Sequence, residues 1–277
     1  MKRRKMLWTI LAVLVSIPLG LVLIVGLGLR FKPARFASYP GTTPTLSTVA
    51  IPDDLPAPVD RYLRTVAGGD VLPITDSAVL TGPARLRFGG ITFNSRVRFI
   101  ELGGHGYRHY IELTLFGQPV LKANEIILDG TSRMELPFGV QEGLEIDQAA
   151  NLSAWGEQAA WMPSVLLTDP RVRWEPVDDT AARLIVPFKT GEDEFLVKFD
   201  PETGLIRSME ALRFKEKGGE KVLWTIQMAE WVRFHGLLLP SAITLTWADE
   251  GSPWATFTID EVVYNVDVET YIRANGP

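Results

Sequence analysis

The chain has 277 residues, 46% hydrophobic and 22% charged, with no cysteine and a formal net charge of −5. The missing cysteine excludes disulfides, thiolate metal ligands and a cysteine nucleophile. The first 35 residues take seven of the 28 Lys/Arg and none of the 33 acids; the other 242 hold 21 bases against 33 acids, a net of −12, and so acidic a domain excludes nucleic acid as a partner.

Residues 1–6 form a basic segment containing Lys2, Arg3, Arg4 and Lys5. No charge occurs from Leu7 to Leu29. As a helix this run would extend roughly 35 Å, enough to cross a hydrocarbon core of about 30 Å. It predicts a single-pass transmembrane anchor at 7–29. A cleaved signal peptide is the alternative, but the apolar run is long for one and Ala34-Arg-Phe-Ala37 lacks the usual cleavage spacing. The small excess of Lys/Arg before the run places the N-terminus in the cytoplasm and the main domain on the periplasmic or extracellular side. Residues 30–54, rich in Pro, Thr and Ser, read as an extended linker. Residues 55–277 then form one domain large enough for its own core.

That domain opens with "LPAPVDRYLRTVAGG". Val59, Tyr62, Leu63 and Val66 fall at helical spacing, with Pro58 near the start and Gly68-Gly69 as a stop. Beyond Thr75 the apolar period becomes two, in "ARLRF", "FNSRVRFI" and "YRHYIELTLF", broken by glycine-containing turns. One helix interrupts the strands, from about Asp147 to Met162. Leu152, Trp155, Ala159, Met162 and Leu166 form its stripe, and Pro163 should kink or end it near Met162. Alternating runs follow from Leu184 to Val266, separated by "DPETG", "KGGE" and "DEGSP". The pattern implies a mainly β (α+β) fold. A large antiparallel sheet curls into an incomplete barrel, with one or two helices on its concave side.

The candidate acids are Glu175, Asp178 and Asp179 in "VRWEPVDDTAARLIVPF". The segment "EPVDDTA" falls between two strands and misses the calcium-loop spacing, so it predicts a polar turn. A tight exposed turn offers no cleft to perturb a catalytic acid. His105 and His109 are four apart, but Gly103, Gly104 and Gly106 break any helix there and no third ligand lies nearby in sequence. Nucleophile-elbow and phosphate-loop motifs do not occur. The sequence therefore proposes no catalytic residue, metal or cofactor. Glu157, in "WGEQAAW", is expected to face solvent or pair on the helix surface. Trp155 and Trp161 on that helix, with Trp224, Trp247, Phe257 and Tyr264 on strands, are the candidate lining of an apolar cavity. Ordinary core packing is the other reading of the same rings.

Three segments in order, "LPAPVDRYLR", "WMPSVLL" and "DPRVRWEPVDDTAARL", resemble a bacterial family known only as a domain of unknown function, over about Leu55 to Tyr264. That resemblance implies no activity. More remotely, "FDPETGLIRSM", "FHGLLLPSAITLTW" and "ATFTIDEVVYNV" are similar to the bacterial lipoprotein-carrier (LolA-like) superfamily. This second resemblance implies an incomplete barrel around an apolar cavity with helices as a lid. The expected function is thus a membrane-anchored, extracytoplasmic domain that binds a lipid or other apolar ligand. The alternative is a non-catalytic scaffold or accessory subunit of a cell-envelope complex.

Overall fold

The computed structural model describes residues 16–274 and Gly276. Residues 16–28 are helical (α1), and the large apolar side chains from Ile17 to Leu27, Val25 excepted, are 52–67% exposed. Among the described residues no helix is long and apolar enough to cross a membrane. Residues 7–15 of the expected anchor lie outside the described residues.

The first helix of the main domain, α2 (Ala57–Ala67), follows its sequence signals closely. Pro58 sits in the first turn, where no N–H is needed, and Gly68 ends the helix at φ 70° with its N–H on the Arg64 carbonyl. Val59, Tyr62, Leu63 and Val66 are its buried stripe, and the Tyr62 hydroxyl donates to the Ala159 carbonyl at 3.0 Å. A small ladder, β1 (Thr48–Ala50) with β2 (Val71–Pro73), flanks α2 in sequence.

Two antiparallel meanders make the main sheet. The first comprises β3 (Ser77–Phe88), β4 (Ile91–Leu102), β5 (Gly106–Leu115), β6 (Gln118–Leu128), β7 (Thr131–Leu136) and β8 (Gly139–Gln141). Helices α3 (Leu144–Trp161) and α4 (Val165–Thr168) lead to the second: β9 (Arg173–Asp178), β10 (Ala181–Phe188), β11 (Gly191–Phe199), β12 (Ile206–Phe214), β13 (Lys221–Phe234), β14 (Leu237–Trp247) and β15 (Pro253–Thr258). Strand β15 pairs with β3, which joins the meanders into one 14-stranded sheet; β16 (Glu261–Tyr264) pairs with the other end of β3, before the short α5 (Glu269–Ile272). The sheet is not closed, because β8 and β9 end it. Helix α3 touches β5, β6 and β7 on one half and β10, β12 and β14 on the other, so both halves flank the same helix.

The connection between β9 and β10 is shorter than "EPVDDTA" predicts. Strand β9 continues through Pro176 to Asp178, leaving only Asp179 and Thr180 to turn. Pro176 is tolerated because β9 is an edge strand with a partner on one side only. Asp178 Oδ1 accepts the Thr180 N–H at 2.7 Å and its hydroxyl at 2.9 Å, and these bonds hold its carboxyl below the usual range. Glu175 lies instead beside Arg173 and Arg183. Asparagine can accept the same two bonds, so replacing Asp178 and Asp179 together by Asn should lower Tm by no more than about 4 °C in a thermal melt.

The extended segment after α1 is strapped onto the face of β4 opposite α3. Asn94 donates to the Leu29 carbonyl at 2.8 Å, Arg96 to that of Ala34 at 2.9 Å, and Arg98 to that of Ala37. The Phe36 ring lies under the Arg96 guanidinium, 4.3 Å away. Alternate positions on β4 supply these three side chains, while Val97, Phe99 and Glu101 point the other way, toward α3.

Candidate functional site

Hairpin register assembles a polar cluster beneath α3. The β4–β5 turn sets Phe99 opposite His109 and Glu101 opposite Tyr107, and the next ladder sets His109 opposite Glu125. Glu101 and His109 therefore share the apolar phase of their strands. Helix α3 brings Glu157 down onto them, with His109 Nε2 2.7 Å from Glu157 Oε2. Glu101 Oε1 stands 3.5 Å from the same nitrogen, close enough for attraction but not aligned as a hydrogen bond. On the far side of the ring, Nδ1 lies 3.9 Å from Glu125 Oε2, and the other Glu125 oxygen accepts the Tyr107 hydroxyl at 2.6 Å. The imidazole is stacked on the Tyr107 ring, with centroids 3.7 Å apart and planes 6° from parallel.

The surroundings are nearly dry. Glu101 is 0% exposed, and neither of its carboxylate oxygens has a hydrogen-bond partner. Arg213 reaches in from β12, donating to the Ala149 carbonyl at 2.9 Å and to Ser153 Oγ at 3.1 Å, beneath the rings of Trp224 and Trp247. Burial pushes the Glu101 and Glu157 carboxyls up to about 8 each. The sign of the resulting pH dependence follows from linkage. An acid whose folded value exceeds its unfolded one favours folding fully below about 4.5, and that contribution is lost as pH rises toward 8. With a chelator present, Glu101→Gln should therefore gain stability relative to the unaltered chain between about pH 5 and 8, on the order of 3 kcal/mol. Urea unfolding at three pH values measures it, and parallel curves would contradict it.

Glu157 was expected at the helix surface, and the structure corrects this. A helix flanked by both halves of a sheet has no solvent face, and α3 is buried on nearly every side. Its polar side chains are bonded to the sheet instead. Asp147 accepts from Ser132 and Lys189, Gln148 and Asn151 both donate to Asp193, and Gln158 accepts the Gly104 N–H and donates to the Leu102 carbonyl. His105 and His109 part company: His105 sits in an exposed turn 3.1 Å from Asp129, and only His109 enters the interior.

The six candidate lining residues do meet. Trp155, Trp161, Trp224, Trp247, Phe257 and Tyr264 belong to one core, each no more than 5% exposed. Trp161 donates to the Pro240 carbonyl at 3.0 Å, and the Tyr264 hydroxyl donates to the Trp161 carbonyl at 2.6 Å. A water-sized opening beside these rings would leave accessible surface on them, so side chains fill the space between α3 and the sheet. Trp155 also edges a polar cleft of about 210 Å³ shared with His105, Asp129, Asn151 and Lys189.

A second feature lies at one end of the first meander. Its hairpin tips expose Phe88 and Ile91, Phe116, and Phe138, the last 79% exposed. The Phe88 and Phe138 rings stack at 6.0 Å, and Phe116 lies 5.5 Å from Phe31. The Phe116 N–H donates to the Gly28 carbonyl at 2.9 Å, so α1 leaves the sheet at this rim.

Residues 45–259 match the family of unknown function DUF6544, and the chain belongs to that family. No curated protein matches it. Solved structures similar to it include a LolA superfamily protein from Nitrosomonas europaea, at 11% identity and a TM-score of 0.48, covering 77% of this chain and 96% of that one. A DUF1329 family protein from Desulfovibrio piger is similar at 13% identity and a TM-score of 0.46, covering 79% and 96%.

Proposed function

We propose that this protein is a single-pass, membrane-tethered domain on the non-cytoplasmic side that takes a lipid or other apolar ligand between α3 and the sheet. The exposed rim carries the reading. Phe88, Ile91, Phe116 and Phe138 stand in one place, beside the exit of a helix that is itself apolar and exposed. Apolar surface left in water costs about 25 cal/mol per Å², and aromatic tips beside an apolar helix suit the headgroup boundary of a bilayer. An anchor at Leu7–Leu29 would press this rim onto the membrane and point one end of the half-barrel at acyl chains.

Helix α3 is the lid in this reading. Besides its apolar residues in the core, the helix is held by hydrogen bonds through Asp147, Gln148, Asn151 and Gln158, which water can replace when it lifts. Lifting it uncovers the aromatic set for a ligand. Native mass spectrometry of the full chain, gently extracted, should show a lipid-sized mass that disappears on denaturation. A bare chain that also takes up nothing from vesicles would sink the proposal. The filled interior favours the second reading, a scaffold in an envelope complex, and that reading predicts the bare mass.

A further inference from the structure

We propose that Glu101, His109 and Glu157 bind one divalent first-row transition-metal ion, which staples α3 to the β4–β5 hairpin. One atom from each residue lies within 4.8 Å of the others. Ligand atoms around such an ion sit about 2.0–2.2 Å from it and so roughly 3–4 Å from one another. The 3.5 Å between His109 Nε2 and Glu101 Oε1 already fits, and the 2.7 Å to Glu157 Oε2 needs to open by under about 1 Å.

Two further observations point to a cation. Glu101 is fully buried, is aimed at His109, and has no hydrogen bond to either oxygen, which is a costly state for a carboxylate. Arg213, the buried cation nearby, spends its bonds on the Ala149 carbonyl and the Ser153 hydroxyl and makes no ion pair with Glu101 or Glu157. A dication would compensate both carboxyls in their ionised form, which burial alone opposes. With a cation on Nε2 the ring proton would sit on Nδ1, on the side where Glu125 Oε2 lies 3.9 Å away and the Tyr107 hydroxyl fixes that carboxylate. One imidazole and two carboxylates suit Zn²⁺, Mn²⁺, Fe²⁺ or Co²⁺ better than Mg²⁺, Ca²⁺ or Cu⁺. A bound ion would hold α3 down, so a lid that lifts would have to release it first, and metal binding is read separately from lipid retention.

The test is Co²⁺ titration of the full chain in detergent after chelator treatment, followed by visible absorption, with Zn²⁺ competition. The expected result is one tight equivalent with d–d bands, displaced by Zn²⁺. Glu101→Gln and Glu157→Gln should each weaken binding at least about 100-fold, with folding checked by circular dichroism, while His105→Gln in the exposed turn leaves it intact. Two carboxylate variants are used so that one misfolded variant still leaves a test. Absence of stoichiometric binding by the folded chain would overturn the proposal, as would binding that survives in a folded carboxylate variant or is lost with His105.

Discussion

Replacing Trp155 by alanine is expected to destabilise the domain by about 3–5 kcal/mol. The ring hangs from α3 into the core shared with Trp224, Trp247 and Phe257, and it is 3% exposed. Its removal leaves a void in a region where neighbours already fill the space, so both its transfer energy and its contacts are forfeited. Urea unfolding of the full chain measures the loss. A cost under about 1 kcal/mol would mean that the ring borders open space and the interior is not filled. The same variant reports on function. If a ligand displaces α3 and rests on the aromatic set, lipid retention should fall together with stability.

Gly82→Ala is expected to leave little folded protein, with a cost of about 3 kcal/mol or more. Gly82 lies on β3 where its pairing passes from β15 to β16, the seam between the two meanders. A Cβ there would come within 1.8 Å of the Thr258 carbonyl oxygen and 3.1 Å of the Ile259 Cα. Both obstacles are backbone, held by the Ile259 N–H on Ser241 and the Asp260 N–H on Thr81. No rotamer can relieve the clash. Gly69→Ala, where nothing lies within 4 Å of the added carbon, is the control and should cost little. Equal expression and equal melting of the two variants would contradict the geometry of the seam.

The α2 stripe was legible because Pro58 and Gly68 punctuate it and one face alone is apolar. Strand alternation revealed the meanders, since each strand keeps one face on the core. Helix α3 was legible as a helix, but it begins at Leu144 rather than Asp147, and its stripe, buried as expected, does not mark the only buried face. A helix enclosed by sheet on both sides buries polar residues as well, so Glu157 carries no sign of its burial. The cluster depends on register. Only the turn at Gly103–His105 makes Glu101 and His109 neighbours, and only the fold brings α3 above them. One signal was present: a glutamate in phase with Val97 and Phe99, and a histidine in phase with Tyr107 and Ile111, put polar groups on an apolar face. The β3–β15 pairing joins strands far apart in sequence, and no local pattern announces it.

Hydrogen exchange on the full chain, with and without lipid vesicles, tests most directly whether α3 is a lid. If α3 is a lid, amides of residues 144–161 exchange through an opening that leaves β13 and β14 protected, and vesicles change protection in α3 and at the membrane-facing rim but not in those two strands. Exchange of α3 only together with those strands, unaltered by lipid, would contradict the lid and leave a filled, static scaffold.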